Sequence, residues 1–278
     1  MPGTLYVVAT PIGNLEDMTF RAVRTLKEVA LIACEDTRQT RKLLEHYSIP
    51  TRLISYHEHN ERDRGVELMS MLEAGDSVAL VSDAGTPLIS DPGFRLVETA
   101  VARGVKVTPI PGASAAITAL SAAGLDTDSF RFVGFLPAKP SQRRREIGGW
   151  KTARETTILY EAPHRILATL ADIGEVLGPE RRLVLGRELT KMHEEFLRGT
   201  AAEIGADLAQ RPAIKGEITL LIAPAPEMPP EPTTDEDLRA EVEALVDTGA
   251  ARMDAIKQVA ARHGLGKRAV YRVMESAG

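Results

Sequence analysis

The sequence predicts an α/β protein with a largely parallel sheet, followed by a small helical domain. Three observations support this fold class. Short apolar runs alternate with amphipathic segments through the first half of the chain, as in repeated strand and helix units. Some runs, such as Val78–Val81, are apolar at every position, which is typical of parallel strands covered on both faces. Near the end of the chain, two short helical patterns surround a glycine turn.

Composition predicts a folded, cytoplasmic protein. The 278 residues are 44% hydrophobic, which is enough for a sizeable core and argues against general disorder. The net charge of −5 gives no overall indication of a nucleic-acid partner, since such proteins are often basic. Cys34 is the single cysteine, so no intramolecular disulfide can form. No signal peptide pattern and no apolar run long enough to cross a bilayer is visible.

The apolar periodicity assigns each predicted element. In the first half the predicted strands are 4–9, 30–34, 52–56, 77–82 and 105–110, and the predicted helices are 19–29, 38–47, 62–72 and 94–103. In the second half the predicted strands are 130–135, 157–160, 182–186 and 217–222, and the predicted helices are 113–122, 165–177 and 201–211. The regular alternation of predicted strands and helices changes near residues 110–114. We therefore expect an N-terminal α/β domain at 1–111 and a second α/β domain at 112–223.

The last part of the chain is predicted to be a separate helix-turn-helix domain. Five prolines within residues 224–232 predict a stiff, extended linker before a domain at 233–278. Between residues 252 and 272 there are six Lys or Arg residues and one Asp, and Lys267 and Arg268 begin the second short helix. This pattern favours contact with nucleic acid. The alternative is a helical appendage used for packing or dimerisation.

Polar or glycine-rich loops follow the strands of the first half. In open α/β sheets, ligands bind outside the carboxyl ends of the strands, so these loops are expected to form a shared crevice. Gly85, in the loop after the fourth strand, would let the backbone approach a ligand closely.

Several common site types are disfavoured by motif. The sequence has no Walker lysine after these glycines and no G-x-G-x-x-G, which disfavours a P-loop NTPase or an ordinary dinucleotide fold. It has no H-E-x-x-H, no Cys/His ligand spacing and no G-x-S-x-G elbow, so neither a metal site nor a serine nucleophile is expected.

Six segments then form an ordered set. They are 4–15, 35–38, 82–93, 111–115, 160–165 and 186–190. Together they resemble the tetrapyrrole-methylase superfamily, the class III methyltransferases, and in particular its members that methylate ribosomal RNA. The resemblance covers residues 3–223, and the tail is similar to the small C-terminal domain of those members. It implies a two-domain fold with S-adenosylmethionine in the cleft between the domains, and a homodimer.

The resemblance also implies a substrate and a set of cofactor contacts. The expected reaction is methylation of the ribose 2′-hydroxyl of a cytidine in the decoding region of 16S ribosomal RNA, either free or in the 30S subunit. Relatives that methylate tetrapyrroles carry Gly-Asp-Pro where this chain has Gly85-Thr86-Pro87, which disfavours a tetrapyrrole substrate. The residues implied as cofactor contacts are Pro11, Asp83, Gly85, Thr86, Pro87, Ile89, Ser114, Ala115, Tyr160, Leu189 and Thr219.

A ribose hydroxyl is a poor nucleophile until a base removes its proton. Glu35, Asp36 and Glu161 are the candidate bases, since all three lie at the ends of predicted strands. For the first two, the alternative is a structural ion pair with Arg38 or a helix N-cap.

Residues 139–154 are predicted to form a mobile basic loop beside the site, with six Lys or Arg residues and one Glu. Residues expected to contact RNA phosphates are Arg143, Arg144, Arg145 and Lys151, and Trp150 is expected to stack on a base. The alternative is a solvated loop with the Trp150 ring tucked beneath it.

Two other functions stay open at this point. A small-molecule methylase, acting on a tetrapyrrole or of the diphthamide type, would need neither the basic loop nor the tail. A DNA-binding regulator with a ligand-sensing α/β domain would bind duplex DNA tightly and transfer no methyl group.

Overall fold

In the computed structural model, the first five strands form a fully parallel sheet, which confirms the prediction for this half. They are β1 (Thr4–Val8), β2 (Leu31–Cys34), β3 (Leu53–Ser55), β4 (Val78–Val81) and β5 (Lys106–Ile110). Their order in the sheet is β3-β2-β4-β1-β5. The helices between them are α1 (Phe20–Glu28), α2 (Thr37–His46), α3 (Glu61–Ala74) and α4 (Phe94–Ala102). Strands β2 and β4 are buried at every position, which explains their unbroken apolar sequences.

The second sheet is mixed. Its strands are β6 (Phe130–Phe135), β7 (Thr156–Glu161), β8 (Arg182–Arg187), β9 (Glu195–Thr200) and β10 (Ile218–Ile222), in the order β6-β7-β10-β8-β9. Its helices are α5 (Ala115–Ala123), α6 (Pro140–Gly148), α7 (Ile166–Leu177) and α8 (Ala201–Ala209). Strand β10 runs antiparallel to both β7 and β8. Its amino end therefore lies beside the carboxyl ends of those two strands.

Two elements differ from the sequence expectation. The segment predicted as a mobile basic loop contains helix α6. Pro140 occupies the first turn of α6, where the missing N–H of proline is not needed, and Ile147 and Trp150 pack into the core. Strand β9 was not predicted. Its sequence has only two large apolar residues, and it is held by pairing with β8 along its whole length.

Helix α5 fixes the loop after β1 against the second sheet. Ile12 from that loop belongs to the same buried apolar cluster as Ala116 and Leu120 of α5 and Val184 of β8. The small residues of α5 allow this close approach. The two sheets thus meet at the ends of their strands.

The structure describes residues 1–226 and 234–276. The chain forms two compact units, residues 1–225 and residues 226–278. The described part of the smaller unit contains α9 (Asp235–Asp247), α10 (Arg252–Arg262) and α11 (Lys267–Glu275), so the predicted pair of short helices is present. Most of the predicted linker, 224–232, lies outside the described residues, and a division of the larger unit at 111 stays a prediction. No helix within 1–226 or 234–276 has the length and apolarity needed to span a membrane.

Candidate active site

A cavity of about 390 Å³ lies where the strand ends of the two sheets meet in the larger unit. The loops after β1, β4 and β5, the carboxyl ends of β6 and β7 and the amino end of β10 border it. Its volume is in the range of small-molecule sites, ~300–1,000 Å³. The crevice predicted at the strand ends is therefore present, but the loops after β2 and β3 do not line it.

The glycine turn after β4 is held by the loop after β1. Thr10 and Gly85 exchange two backbone hydrogen bonds, of 2.9 and 3.0 Å, and Thr10 Oγ1 donates to the Ser82 carbonyl at 3.1 Å. Gly85 has a φ of +77°, a conformation that glycine adopts without strain. A Cβ added there would lie 3.4 Å from Ile12 Cγ2. The turn is thus fixed in place and presents its backbone to the cavity.

The loop after β4, which lines the cavity, and the loop after β8, which lies outside its lining, contain non-glycine residues with left-handed backbone. These are Leu88 and Ser90 after β4, with φ of 73° and 68°, and Glu188 and Thr190 after β8, with φ of 51° and 65°. Each such residue costs roughly 1–3 kcal/mol, and strain of this kind is concentrated at functional sites.

Seven of the predicted cofactor contacts line the cavity. They are Gly85, Thr86, Ile89, Ser114, Ala115, Tyr160 and Thr219. The other four, Pro11, Asp83, Pro87 and Leu189, are not in its lining. Pro11 and Pro87 are buried beside the turn, and Leu189 packs in the α5 cluster. The carboxylate of Asp83 is exposed and accepts a 3.0 Å hydrogen bond from the Asp36 backbone N–H.

Asp91 is a cavity carboxylate that the sequence analysis did not single out. Burial raises the pKa of Asp91 to about 6, and the charge of Glu35 adds to this effect. A carboxyl group that titrates near neutrality inside a cavity is typical of functional sites. Within the described parts of the chain, no group of three or more His, Cys, Asp or Glu side chains could hold a metal ion.

The candidate bases Glu35 and Asp36 lie outside the cavity lining. Asp36 caps helix α2, and its carboxylate pairs with the Arg38 guanidinium at 2.7 Å. The hydrogen bonds from Arg38 lower the pKa of Asp36 to about 2, which makes it a weak proton acceptor. The structure thus matches the alternative interpretation of Asp36 as cap and ion-pair partner. Burial raises the pKa of Glu35, with the charge of Asp83 as a further cause.

Glu161, the third candidate base, does line the cavity, but its buried carboxylate is held by three neighbours. Oε1 accepts from the Ala162 N–H at 2.8 Å, Oε2 accepts from Thr169 Oγ1 at 2.6 Å, and Arg165 Nε lies 3.2 Å from Oε1. Arg165 also donates to the Leu136 carbonyl at 2.8 Å. The network ties the ends of β6 and β7 together and stiffens this wall.

The amino end of β10 also contributes residues to the cavity. The sequence prediction considered only the carboxyl ends of strands and therefore did not include them. Gly216, Glu217 and Ile218 line the cavity beside Thr219. Lys191 Nζ lies 2.8 Å from Glu188 Oε1 and 3.0 Å from Glu217 Oε2, which joins the loop after β8 to this edge. Apolar periodicity indicates a strand without its direction, so the sequence did not place these residues.

Two predicted RNA contacts are buried, and the prediction is wrong for both. Trp150 is 3% exposed and belongs to the core of the second sheet. The Arg143 side chain is 6% exposed and pairs with Asp172 Oδ2 at 2.6 Å. Neither side chain can reach a base or a phosphate. For Trp150, the alternative of a ring tucked beneath the segment is what the structure shows.

The other predicted RNA contacts lie at the surface. Arg145 and Lys151 are exposed, and Arg144 is exposed but shares Asp172 at 3.2 Å. In the smaller unit, Lys267 and Arg268 are exposed at the start of α11. These residues stay predicted RNA contacts.

Strand ends of two sheets, a hydrogen-bonded glycine turn and a partly open cavity form the arrangement in which α/β proteins commonly bind small molecules. The sequence model described as Tetrapyrrole (Corrin/Porphyrin) Methylases matches residues 4–205. A relative from Halalkalibacterium halodurans, named ribosomal RNA small subunit methyltransferase I, is 52% identical over 98% of this chain and 94% of its own. A relative of the same name from Synechocystis is 50% identical over 98% and 97%.

Solved structures share the fold of the larger unit. A uroporphyrin-III C-methyl transferase from Thermus thermophilus, complexed with S-adenyl homocysteine, has a TM-score of 0.55 at 16% identity, over 79% of this chain and 96% of its own. A cobalt precorrin-4 methyltransferase has a TM-score of 0.60 at 13% identity, over 79% and 94%. The chain therefore belongs to the tetrapyrrole methylase family and, within it, to the ribosomal RNA small subunit methyltransferase I group.

Proposed function

We propose that this chain transfers a methyl group from S-adenosylmethionine to the ribose 2′-hydroxyl of a cytidine in the decoding region of 16S ribosomal RNA. The observation that carries the proposal is the near full-length similarity, at about half identity, to relatives named ribosomal RNA small subunit methyltransferase I. The cavity and the exposed basic residues around α6 and α11 support the same activity.

The cavity suits this cofactor. The preformed backbone of the Gly85 turn offers N–H and carbonyl groups to a polar ligand, and Ile89, Ala115 and Tyr160 supply apolar surface. S-adenosylmethionine supplies a methyl group on a positively charged sulfur. The carboxylate of Asp91 on the wall favours such a cation. A fold neighbour is described in complex with S-adenyl homocysteine, the product form of the same cofactor.

The reaction forms a bond between the 2′-oxygen and the methyl carbon and breaks the bond between that carbon and sulfur. The hydroxyl proton passes to a base. Rigid walls favour the in-line alignment that this displacement needs. Of the three proposed bases, Glu161 lies in the lining, Glu35 has a raised pKa outside it, and Asp36 is held by Arg38. We expect Glu161→Gln or Glu35→Gln to lower turnover more than Asp36→Asn.

RNA binding is assigned to the exposed basic residues of the two units. Arg144, Arg145 and Lys151 would contact phosphates from the larger unit, and Lys267 and Arg268 would contact them from the smaller unit. Of the alternatives, a small-molecule methylase gives no role to either surface, and a DNA-binding regulator uses only that of the smaller unit.

We further propose a homodimer. The resemblance implies this assembly, and exposed apolar side chains of the larger unit supply surface that a second copy would cover: Phe20 (96%), Met192 (93%) and Phe94 (65%). Light scattering during gel filtration should give twice the chain mass of 30.1 kDa. A mass equal to one chain would contradict the proposed dimer but would not contradict the proposed reaction.

One assay tests the reaction. The chain is incubated with methyl-labelled S-adenosylmethionine and with 30S subunits, free 16S ribosomal RNA, a tetrapyrrole or duplex DNA. We expect label in RNA only. A 2′-O-methyl group removes the hydroxyl that alkali needs to cleave the chain, so the label should appear in an alkali-resistant dinucleotide that begins with cytidine. Label in the tetrapyrrole, in a base, or in no acceptor would contradict the proposal.

A further inference from the structure

Phe135, at the end of β6, is a large aromatic side chain left open at a functional cavity. It lines the cavity and is 57% exposed, whereas phenylalanine is usually buried. The Tyr160 ring supports one edge, with 5.7 Å between ring centroids and 62° between ring planes. An aromatic ring that is supported on one side and open on the other is suited to receive a flat ligand.

The backbone builds this position. The pairing of β6 with β7 shifts register between Phe132 and Phe135, which is a bulge of the kind that redirects a side chain beside a site. Gly134 within it has a φ of +67°, and a Cβ added there would lie 3.3 Å from Ser90 Oγ. The bulge therefore packs against the strained loop after β4. This contact and the pairing with β7 together fix the position of Phe135 at the cavity.

The surroundings favour a nucleic-acid ligand. The chain continues from Phe135 directly into the basic segment, in which Lys139, Arg145 and Lys151 are exposed. Proteins that bind single-stranded RNA combine a basic surface for the backbone with aromatic rings that stack on bases. Trp150, the aromatic residue within the basic segment, is buried and cannot serve. Phe135 is an exposed ring four residues before Lys139, where this basic segment begins.

We propose that Phe135 stacks on the nucleobase of the acceptor nucleotide and so holds its ribose at the mouth of the cavity. This inference rests on the proposed function, because it requires an RNA acceptor. It assigns the ring to binding of the base and leaves cofactor binding to the rest of the wall. Stacking also gives a role to an apolar ring at an exposed position.

The test compares full-length Phe135→Ala, Phe135→Leu and Phe135→Tyr with the wild type, using labelled cofactor and 30S subunits or free 16S ribosomal RNA. We expect alanine and leucine to lower kcat/KM for RNA by roughly 5- to 160-fold, the range that corresponds to the loss of one base stack. Tyrosine should keep near wild-type activity. Cofactor affinity, measured by calorimetry without RNA, should not change. Phe130→Ala, at the other end of β6 and 42% exposed, is the matched control.

The outcomes separate this inference from the proposed function. If the wild type labels no RNA, the proposed function fails and the inference fails with it. If the wild type labels RNA and Phe135→Ala labels it equally well, only the inference fails. Full activity of the leucine variant, or equal loss in Phe130→Ala, would also overturn it, since bulk or fold would then explain the effect. Loss of cofactor binding in Phe135→Ala would assign the ring to the cofactor instead.

Discussion

Asp91 brings a carboxyl group with a pKa of about 6 into the cavity, well above the value of 3.8 in an unfolded chain. Above pH 6 the folded protein keeps this group charged in a buried, acidic environment, which lowers stability. Below pH 3.8 the group is protonated in both states and the penalty vanishes. We therefore expect Asp91→Asn to raise the melting temperature of the ligand-free protein at pH 7, with little difference at pH 4. Differential scanning fluorimetry across this range measures both values.

The same substitution should weaken cofactor binding, because the carboxylate of Asp91 attracts a positively charged ligand. At pH 7.5 we expect the dissociation constant for S-adenosylmethionine to rise roughly tenfold, equivalent to ~1.4 kcal/mol. The affinity of the wild type for S-adenosylmethionine should fall as the pH drops through 6, whereas the affinity of the variant should not change over this range. Asp76→Asn, an exposed carboxylate that precedes β4 and lies outside the cavity lining, is the control. Equal affinity for wild type and Asp91→Asn would contradict the assignment.

Arg143 is buried and contributes to stability, whereas Arg145 on the same helix is exposed. Removing Arg143 leaves the buried carboxylate of Asp172 with only the partly exposed Arg144. Breaking a buried pair typically costs about 3–5 kcal/mol, so Arg143→Ala should lower the free energy of unfolding by about that amount. Arg145→Ala, on the same helix, should stay within about 0.5 kcal/mol of the wild type. Urea denaturation that gives the two variants equal stability would exclude a structural role for Arg143.

At the scale of elements, helix α6 and the turn after it are expected to bind RNA through charge. Arg145→Glu/Lys151→Glu should weaken RNA binding and reduce its salt dependence, with a slope lower by about 0.7 per lost single-strand phosphate contact. The control reverses the charge of two exposed lysines, Lys27 and Lys106. Both lie near the amino ends of strands of the first sheet, whereas the cavity is at the carboxyl ends. Filter binding at several salt concentrations gives both slopes. If the control pair changes binding as much, the effect is one of net charge alone.

Elements with a strong local pattern could be predicted from the sequence. Strand β4 and helix α4 were placed within a few residues, because apolar periodicity and the flanking glycines are local signals. Helix α6 could not be predicted in the same way. Its sequence is polar apart from Ile147, and its stability comes from the core and from Asp172, which lies far along the chain. Strand β9 likewise depends on its partner β8.

The candidate site was predictable where it follows parallel strands. Loops after β1, β4 and β5 had to share an edge once the sheet was parallel, and the resemblance supplied Tyr160 and Thr219. Asp91 was missed because its raised pKa depends on burial and on Glu35, which is distant in sequence. The residues Gly216–Ile218 were missed because only the antiparallel direction of β10 brings them to this edge.

At the scale of the whole molecule, the two units have different roles in the proposed function: the larger binds the cofactor and the smaller contributes to RNA binding. The larger unit contains the complete cavity, and α11 of the smaller unit presents a basic face with an aromatic residue. On that helix Val270 is buried, while Lys267, Arg268 and Tyr271 are exposed. Because both units are on one chain, a contact made by α11 raises the local concentration of RNA at the larger unit without any new contact to the cofactor.

The smaller unit should therefore control RNA affinity and leave the chemical step unchanged. In Lys267→Glu/Arg268→Glu we expect a higher KM for RNA, an unchanged kcat at saturating RNA and an unchanged dissociation constant for the cofactor. Steady-state kinetics with labelled cofactor and increasing RNA separates the first two values. The control is the exchange Lys267→Arg/Arg268→Lys, which keeps both charges in place and should behave as wild type, since phosphate contacts depend mainly on charge. An unchanged KM in the glutamate variant would exclude RNA contact through these residues and favour the alternative of a packing or dimerisation appendage.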